Sequence, residues 1–477
     1  QMMTDHPPQH GVHNLAIRTL SAIISTVVIS VALVVTFVDL PAGVLRSLQG
    51  PVAVLPSVQV VPAEPDQILV CMGSAISLSA QGATAVSYGP ASDVVAGSDP
   101  LQGVLSETNL LDGFSLENAT SQDVPTLISQ SVDAGPLAAT SSQVLNNPNV
   151  RGLAMAECTP PTTEAWLVGG HTTTGRQTAL SLTNPGEVTA SVNLEIYGTQ
   201  GLITSSLGQG ILVAPGSQRV LSLAGLAPDE SAPVVRVTTD GAGVVATLHY
   251  SIVRGLEADG LSVITSQEAP SVLRVIPGLF APEEDVLGSL RTKDGYGDIG
   301  PSLRVLSPDQ PASVTVRVLR PGMGDVTAQL ELDAGEVEDF SLDELGSGDF
   351  GVIVESTQPV VASVRASVGG ESRTDTSWVG SAGAITGDSL FAIPALADSK
   401  ISLINPGSSS LSVTLDGRDT TIPAGSVMAR PLSAGSHSLS SLDPVYGVVV
   451  VRDESLLGHL HILPTPAAQQ SVLITPR

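Results

Sequence analysis

The chain has 477 residues and a formal charge of -26, from 46 acids against 20 bases, of which only Lys293 and Lys400 are lysines. Phosphate backbones need a basic face, so this balance excludes nucleic acid as a partner and fits a soluble surface outside the cytoplasm. The length exceeds one ordinary core and predicts about three or four domains of roughly 100 to 150 residues. Forty-seven glycines, 34 prolines and many Val, Ala, Ser and Thr residues predict an all-β protein of short strands and turns.

Residues 1–18 are polar and read as a cytoplasmic tail. Thr19 to Val38, TLSAIISTVVISVALVVTFV, carries no charge. At 1.5 Å per residue such a run covers about 30 Å, the thickness of the hydrocarbon core, whereas the apolar core of a signal peptide is shorter. No small-x-small cleavage site follows it, so 19–38 is expected to be an uncleaved single transmembrane anchor with the bulk of the chain extracytoplasmic. Pro41, Pro51, Pro56, Pro62 and Pro65 make 39–66 an extended stem.

Ordered structure is expected to resume at Gln67, with Ile68 to Cys71 and Ile76 to Leu78 as strands. Residues 97–149 are Ser, Asp, Asn and Gly rich and show no assignable elements. Leu153 to Cys158 then brings in the second of two cysteines. In an exported chain Cys71 and Cys158 read as one disulfide that closes 67–160 into a unit, worth about 4 to 5 kcal/mol in the chain-entropy model. Two buried free thiols are the alternative; zinc would need further ligands.

Three segments then share a pattern, read as repeats over 161–270, 271–372 and 373–477. In the first, the turn Asn184, Pro185, Gly186 precedes an alternating strand with Val192, Leu194 and Ile196 on one face and Ser191, Asn193 and Glu195 on the other. Pro215 and Gly216 follow, with Leu223 seven places past the glycine. In the third, Asn405, Pro406 and Gly407 precede Leu411, Val413 and Leu415, and Gly425 precedes Leu432 at the same distance. The second is degenerate: Ser307, Pro308 and Asp309 stand at the turn, Val314, Val316 and Val318 form the strand, and Gly335 precedes Leu342. Closing strands are expected at Val244 to Ile252, Val360 to Val368 and Leu456 to Ile462. Trp166, Val168 and Gly169 are matched by Trp378, Val379 and Gly380, each read as a marker before its copy. Copies of about 80 to 105 residues, with room for about seven strands, predict tandem immunoglobulin-like β-sandwiches after one transmembrane helix; propeller blades are about half that size.

From Cys71 to the C-terminus the chain resembles the actinobacterial, membrane-anchored envelope proteins grouped as domain of unknown function 5719. The resemblance rests on the apolar strand ending in Cys71, Cys158 ahead of a tryptophan motif, Trp166 to Gly170 with Gly175 and Arg176, and the Asn184, Pro185, Gly186 turn. Cys71 is followed here by Met72, Gly73 and Ser74, where the family has Pro and Gly. The resemblance implies an anchored protein of unassigned function, with a membrane glycosyltransferase of wall assembly as a partner class, and it brings no catalytic residues.

No nucleophile elbow, paired metal-binding helix, phosphate-cradling loop or dinucleotide fingerprint occurs, so no catalytic or cofactor residues are assigned. His459 and His461 lie on one face of an expected strand, with His437 able to approach them and His249 in the place of His461 in the first copy; solvent-facing side chains are the expectation, and a metal site the alternative. Glu283, Glu284 and Asp285 with Asp294 to Asp298 could offer oxygens to calcium, against a solvated acidic loop. Asn118, Ala119, Thr120 matches the N-glycosylation triplet. Glycan binding stacks sugars on exposed aromatics, but Trp166 and Trp378 recur in the repeat and read as packing residues. The expectation is a non-enzymatic scaffold or accessory subunit, with a cell-wall polysaccharide-binding module and a hydrolase built from dispersed acids as alternatives.

Overall fold

The structure is a computed structural model that describes residues 58–60, 66–78, 84–98, 100–104, 107–110, 115–117, 124–370, 373–465 and 472–474. The tail and the apolar run 19–38 lie outside the described residues, as do most of the stem and the Asn118 triplet. No helix among the described residues is long and apolar enough to cross a membrane. Two units separate: 1–63 with 469–477, and 64–468. In the first, Val58–Val60 pairs antiparallel with Val472–Ile474, so these last residues, expected in the third repeat, belong elsewhere.

The second unit holds three β-sandwiches with one topology. In the second sandwich, one sheet runs Val326–Leu332, Ala312–Leu319, the first half of Gly348–Gly369, then Ser271–Ala281. The other runs Val337–Ser341, Ser302–Leu306, the second half of the same strand, then Thr374–Gly380. The third sandwich repeats this order around Gly435–Arg452. One strand thus serves both sheets. It changes sheet just after Pro359 in one copy and just after Pro444 in the other, residues with no N–H to give to a ladder. In the first sandwich the same strand is cut in two, Val234–Gly241 and Val245–Arg254. Gly241 sits there at φ 89°, and a side chain on Gly243 would press on the Thr162 backbone.

The pairing changes three sequence expectations. Thr374–Gly380 pairs with Gly348–Gly369 and closes the second sandwich, so the third begins near Ile385 rather than at 373. Trp166 lies in the first strand of its sandwich and Trp378 in the last strand of its own, so they do not mark equivalent places. The third-copy equivalent of Val244 to Ile252 lies within Gly435–Arg452, so His249 is not the counterpart of His461, which lies on Leu457–His461.

Alternation carries the cores. Val192, Leu194 and Ile196 are buried while Ser191, Asn193 and Glu195 are half-exposed, and Val314, Val316, Val318 and Leu411, Val413, Leu415 are buried in the other copies. The turns repeat in atomic detail. Asn184 Nδ2 donates to the Val188 and Val213 carbonyls at 2.8 and 2.9 Å, and Gly186 N donates back to Asn184 Oδ1 at 2.9 Å. Asn405 Nδ2 donates to Ser409 O at 2.8 Å and to Ile422 O at 3.2 Å, and Gly407 N donates to Asn405 Oδ1 at 3.0 Å. In the degenerate copy the Ser307 hydroxyl takes over, donating to the Gln310 carbonyl at 2.5 Å.

Cys71 and Cys158 form a disulfide and are fully buried. The segment it closes is not self-contained. Its strand Glu107–Leu110, within the stretch that showed no assignable elements, pairs in parallel with Ser217–Ser222 at the edge of the first sandwich. Arg151–Glu157 is buried on both faces: Leu153 and Met155 enter the core of the third sandwich, while Ala154 and Ala156 pack with Leu261 and Val263 of the first.

Candidate functional site

Buried ionisable groups collect where the sandwiches meet. Asp375, on the last strand of the second sandwich, is 1% exposed. Its carboxylate accepts four backbone N–H groups: Leu153 at 3.0 Å from the N-terminal segment, Leu261 at 3.0 Å from the first sandwich, Leu457 at 3.0 Å from the third, and its neighbour Thr376 at 2.9 Å. Burial pushes the carboxyl up to about 8, while the four N–H groups draw it down. Gly152 has no side chain because Asp375 Oδ1 occupies that space.

A second carboxylate, on the N-terminal segment, also ties sandwiches together, mainly through side chains. Glu157 accepts from the Thr265 hydroxyl of the first sandwich, and from His461 N at 3.0 Å and His461 Nδ1 at 3.1 Å in the third. His461 Nε2 donates to the Gly380 carbonyl of the second at 3.0 Å. Burial works to raise the Glu157 carboxyl, but the charge and hydrogen bond of His461 outweigh it and hold it below its usual value. Burial works to lower His461, and the Glu157 charge outweighs that and raises it. The two therefore form a buried ion pair.

The seam between first and second sandwiches is arginine-rich. Arg304 is fully buried, pairs with Asp339 through Nε at 2.7 Å and Nη2 at 2.8 Å, and donates to the carbonyls of Gly170, Pro233 and Ser231 at 3.0 Å each. Its guanidinium lies 4.4 Å from the Trp378 ring centre. Arg254 bridges Asp259 at 2.9 Å and Asp298 at 2.6 Å, and Arg176 bonds Asp298 at 2.7 Å. Burial would raise Asp298, but Arg254, Arg176 and Arg365 hold it at about 2.

The residues singled out in the sequence separate here. His459 is buried and His461 partly so, both in polar contacts rather than turned to solvent. His459 Nδ1 lies 2.8 Å from the Ser377 hydroxyl and Nε2 lies 2.9 Å from the Gly278 carbonyl, and burial lowers its pKa to about 4. His437 is elsewhere, 2.8 Å from Asp416, and His249 Nδ1 accepts from Ile76 N at 3.3 Å. Among the described residues no three His, Cys, Asp or Glu side chains are placed to share a metal ion. Of the calcium candidates, Asp298 is bonded to two guanidiniums, and Asp285 accepts from the N–H of Val286 at the start of the helix Glu284–Arg291. Trp166 and Trp378 are 2% and 3% exposed, so neither offers a face to a sugar ring. Trp166 stacks on Tyr197, ring centres 6.0 Å apart.

The model of a family of unknown function, DUF5719, matches residues 116–429. The chain belongs to this family. The match covers all three sandwiches apart from the last strands of the third, together with Cys158, Asp375 and the arginine seam, while Cys71 and His461 lie outside it. No curated protein matches the chain in sequence. Two solved structures are similar in part. Thermotoga maritima 1070 is 19% identical over 23% of this chain and 93% of its own, with a TM-score of 0.20. An anti-sigma factor domain-containing protein from Clostridium clariflavum is 9% identical over 69% of this chain and 85% of its own, with a TM-score of 0.13.

The junction residues escaped sequence reasoning. The available signal was a charge inside a segment that otherwise reads as a buried strand: Arg304 in SLRVL, Asp375 in TDTSWVG, Glu157 in RGLAMAE. Such charges are costly unless paired, so each announces a distant partner without naming it.

Proposed function

We propose that the protein is a non-enzymatic, single-span envelope protein whose sandwiches, immunoglobulin-like in scale, act together as a scaffold or accessory subunit. The apolar run 19–38 is its anchor, the bulk of the chain is extracytoplasmic, and a membrane glycosyltransferase of wall assembly is the partner class. One observation carries the scaffold reading: Asp375 bonds four N–H groups drawn from the N-terminal segment and all three sandwiches. Buried ionisable groups that face substrate in an enzyme here face the backbones of neighbouring sandwiches. A series of sandwiches joined only by linkers would bend and turn independently. Sandwiches sharing cores and a common carboxylate hold a fixed spacing, which suits a part that positions other proteins. Affinity purification of the full chain in mild detergent tests the reading. A membrane protein recovered in fixed stoichiometry is expected; a lone monomer would contradict the accessory role.

A further inference from the structure

The outer edge of the first sandwich is unlike the same edge of the other two. It lies beyond Ala190–Gly198 and is built from two short strands, Gly201–Ile203 and Ile211–Val213, which pair with no further strand among the described residues. Open edges are usually guarded by charged side chains. The matching edge of the second sandwich, Val326–Leu332, exposes Glu331, and that of the third, Arg418–Ile422, exposes Arg418 and Asp419. In the first, no charged residue occurs from 196 to 218, and Val188, Leu202, Leu207 and Leu212 are each 55% to 69% exposed.

Register strings these side chains into a strip. Leu202 stands opposite Tyr197 and Leu212 opposite Ser191, on the outer face of the sheet and about 20 Å apart at roughly 3.4 Å per residue. Leu207 falls between them, because its turn is tacked to the middle of the same strand: Gln209 Nε2 donates to Leu194 O and Gly210 N to Asn193 Oδ1, both at 2.9 Å. At the Tyr197 end the strip meets the second sandwich, where Trp166 and Tyr197 pack with Leu306, Val337 and Val361. Charges border the strip rather than enter it. Glu195 lies alongside, bonded to Arg236; Asp309 and the buried Glu230 stand at the Tyr197 end, and Glu187 and Asp240 are exposed at the other.

We propose that this edge is where a second copy of the chain docks, the two edges meeting antiparallel about a two-fold axis near Leu207, with Leu202 of each against Leu212 of the other. An uncharged strip is complementary to itself, which is what a two-fold contact requires. Two chains of charge -26 repel wherever acidic surfaces meet, so they can approach along an edge that carries no charge. A lipid surface is met by exposed aromatic and basic side chains, and the strip exposes neither. Four such side chains make a patch on the order of 400 Å², a size that is often functional yet about half of what each partner buries in a stable interface. The contact is therefore weak in solution and gains from confinement, since chains anchored by 19–38 hold this edge at one height over one membrane; that step rests on the proposed anchor.

Cross-linking near the axis tests the dimer. The full chain carrying Leu207→Cys is reconstituted in phosphatidylcholine vesicles and oxidised mildly, with Leu256→Cys, 96% exposed on a hairpin tip, as the control for random collision. Leu207→Cys is expected to form covalent dimers about tenfold faster than the control, and faster still as salt rises from about 0.05 to 0.5 M, because salt screens the acidic border. Adding Leu212→Glu, at an exposed position where the melting temperature should not move, is expected to slow cross-linking about tenfold. Leu207→Cys that cross-links no faster than Leu256→Cys would overturn the dimer, and so would a rate indifferent to Leu212→Glu or one that falls with salt. The accessory reading fails separately: a membrane protein that co-purifies with a chain unable to cross-link sinks only the dimer, and cross-linking with no co-purified protein sinks only the accessory role. Should the chain stay out of the vesicles, the anchor reading fails, and the same comparison in concentrated solution decides the dimer.

Discussion

The Asn184 and Asn405 turns and the Asp375 junction use the same chemistry for different ends. Each turn is a side chain satisfying carbonyls and an N–H within its own sandwich, and it recurs with nearly the same distances. Asp375 satisfies N–H groups of three other segments and occurs once. The turn recurs in the first and third sandwiches, with Ser307 in its place in the second; what fixes one sandwich to another does not recur. The repeat therefore describes the parts, and the unrepeated buried charges describe the assembly.

The largest expected effect comes from altering the shared acceptor at the junction. Asp375→Asn keeps the shape but turns an N–H₂ toward N–H donors, leaving buried groups unsatisfied. A loss of about 3 to 5 kcal/mol in urea unfolding is predicted, from roughly 1 to 3 kcal/mol for each N–H group left unsatisfied. A loss below about 1 kcal/mol would reduce the junction to one more local hydrogen bond and erase the contrast with the turns.

The turns sharpen the comparison from the other side. Asn184→Ala and Asn405→Ala should each cost about 1 to 3 kcal/mol, because each strands two or more carbonyls. Since they lie in different sandwiches, the double variant should equal the sum within about 0.5 kcal/mol. Strong non-additivity would mean that the turns, too, are coupled through the assembly.

The smallest effect is the most specific in pH. Glu157 lies below its ordinary 4.5, so its contribution is present above that pH and is lost as pH falls through the lowered value. His461 lies above its ordinary 6.5, so its contribution is complete below that pH and is lost as pH rises through the raised value. The stability difference between the parent and His461→Asn should therefore peak between pH 4.5 and 6.5 and shrink on either side, as followed by thermal melts across pH. A difference independent of pH would mean that the pair is not ionised.

How much of this was legible in the sequence follows from the same division. Val192, Leu194 and Ile196 could be placed because alternation is local, and Asn184, Pro185, Gly186 because a turn is defined by adjacent residues. Pro359 and Pro444 were equally local yet went unread, since proline inside a strand normally argues against one; here it marks the change of sheet. Thr374–Gly380 was assigned to the wrong sandwich because its tryptophan resembled that of Trp166, and only pairing with Gly348–Gly369 decides ownership. Asp375 and Arg304 lay beyond reach for a further reason: their partners stand many residues away in chain order, and no short-range pattern records which distant backbone a buried charge will meet.

Hydrogen exchange of the full chain, read at the peptides containing Leu153, Leu261 and Leu457, tests the shared junction most directly. These amides come from three distant segments and donate to a single carboxylate. The account predicts strong protection of all three in the parent protein and its joint loss in Asp375→Asn, with the peptides around Asn184 and Asn405 unchanged. Three amides that keep separate protection levels, unmoved by the substitution, would contradict it.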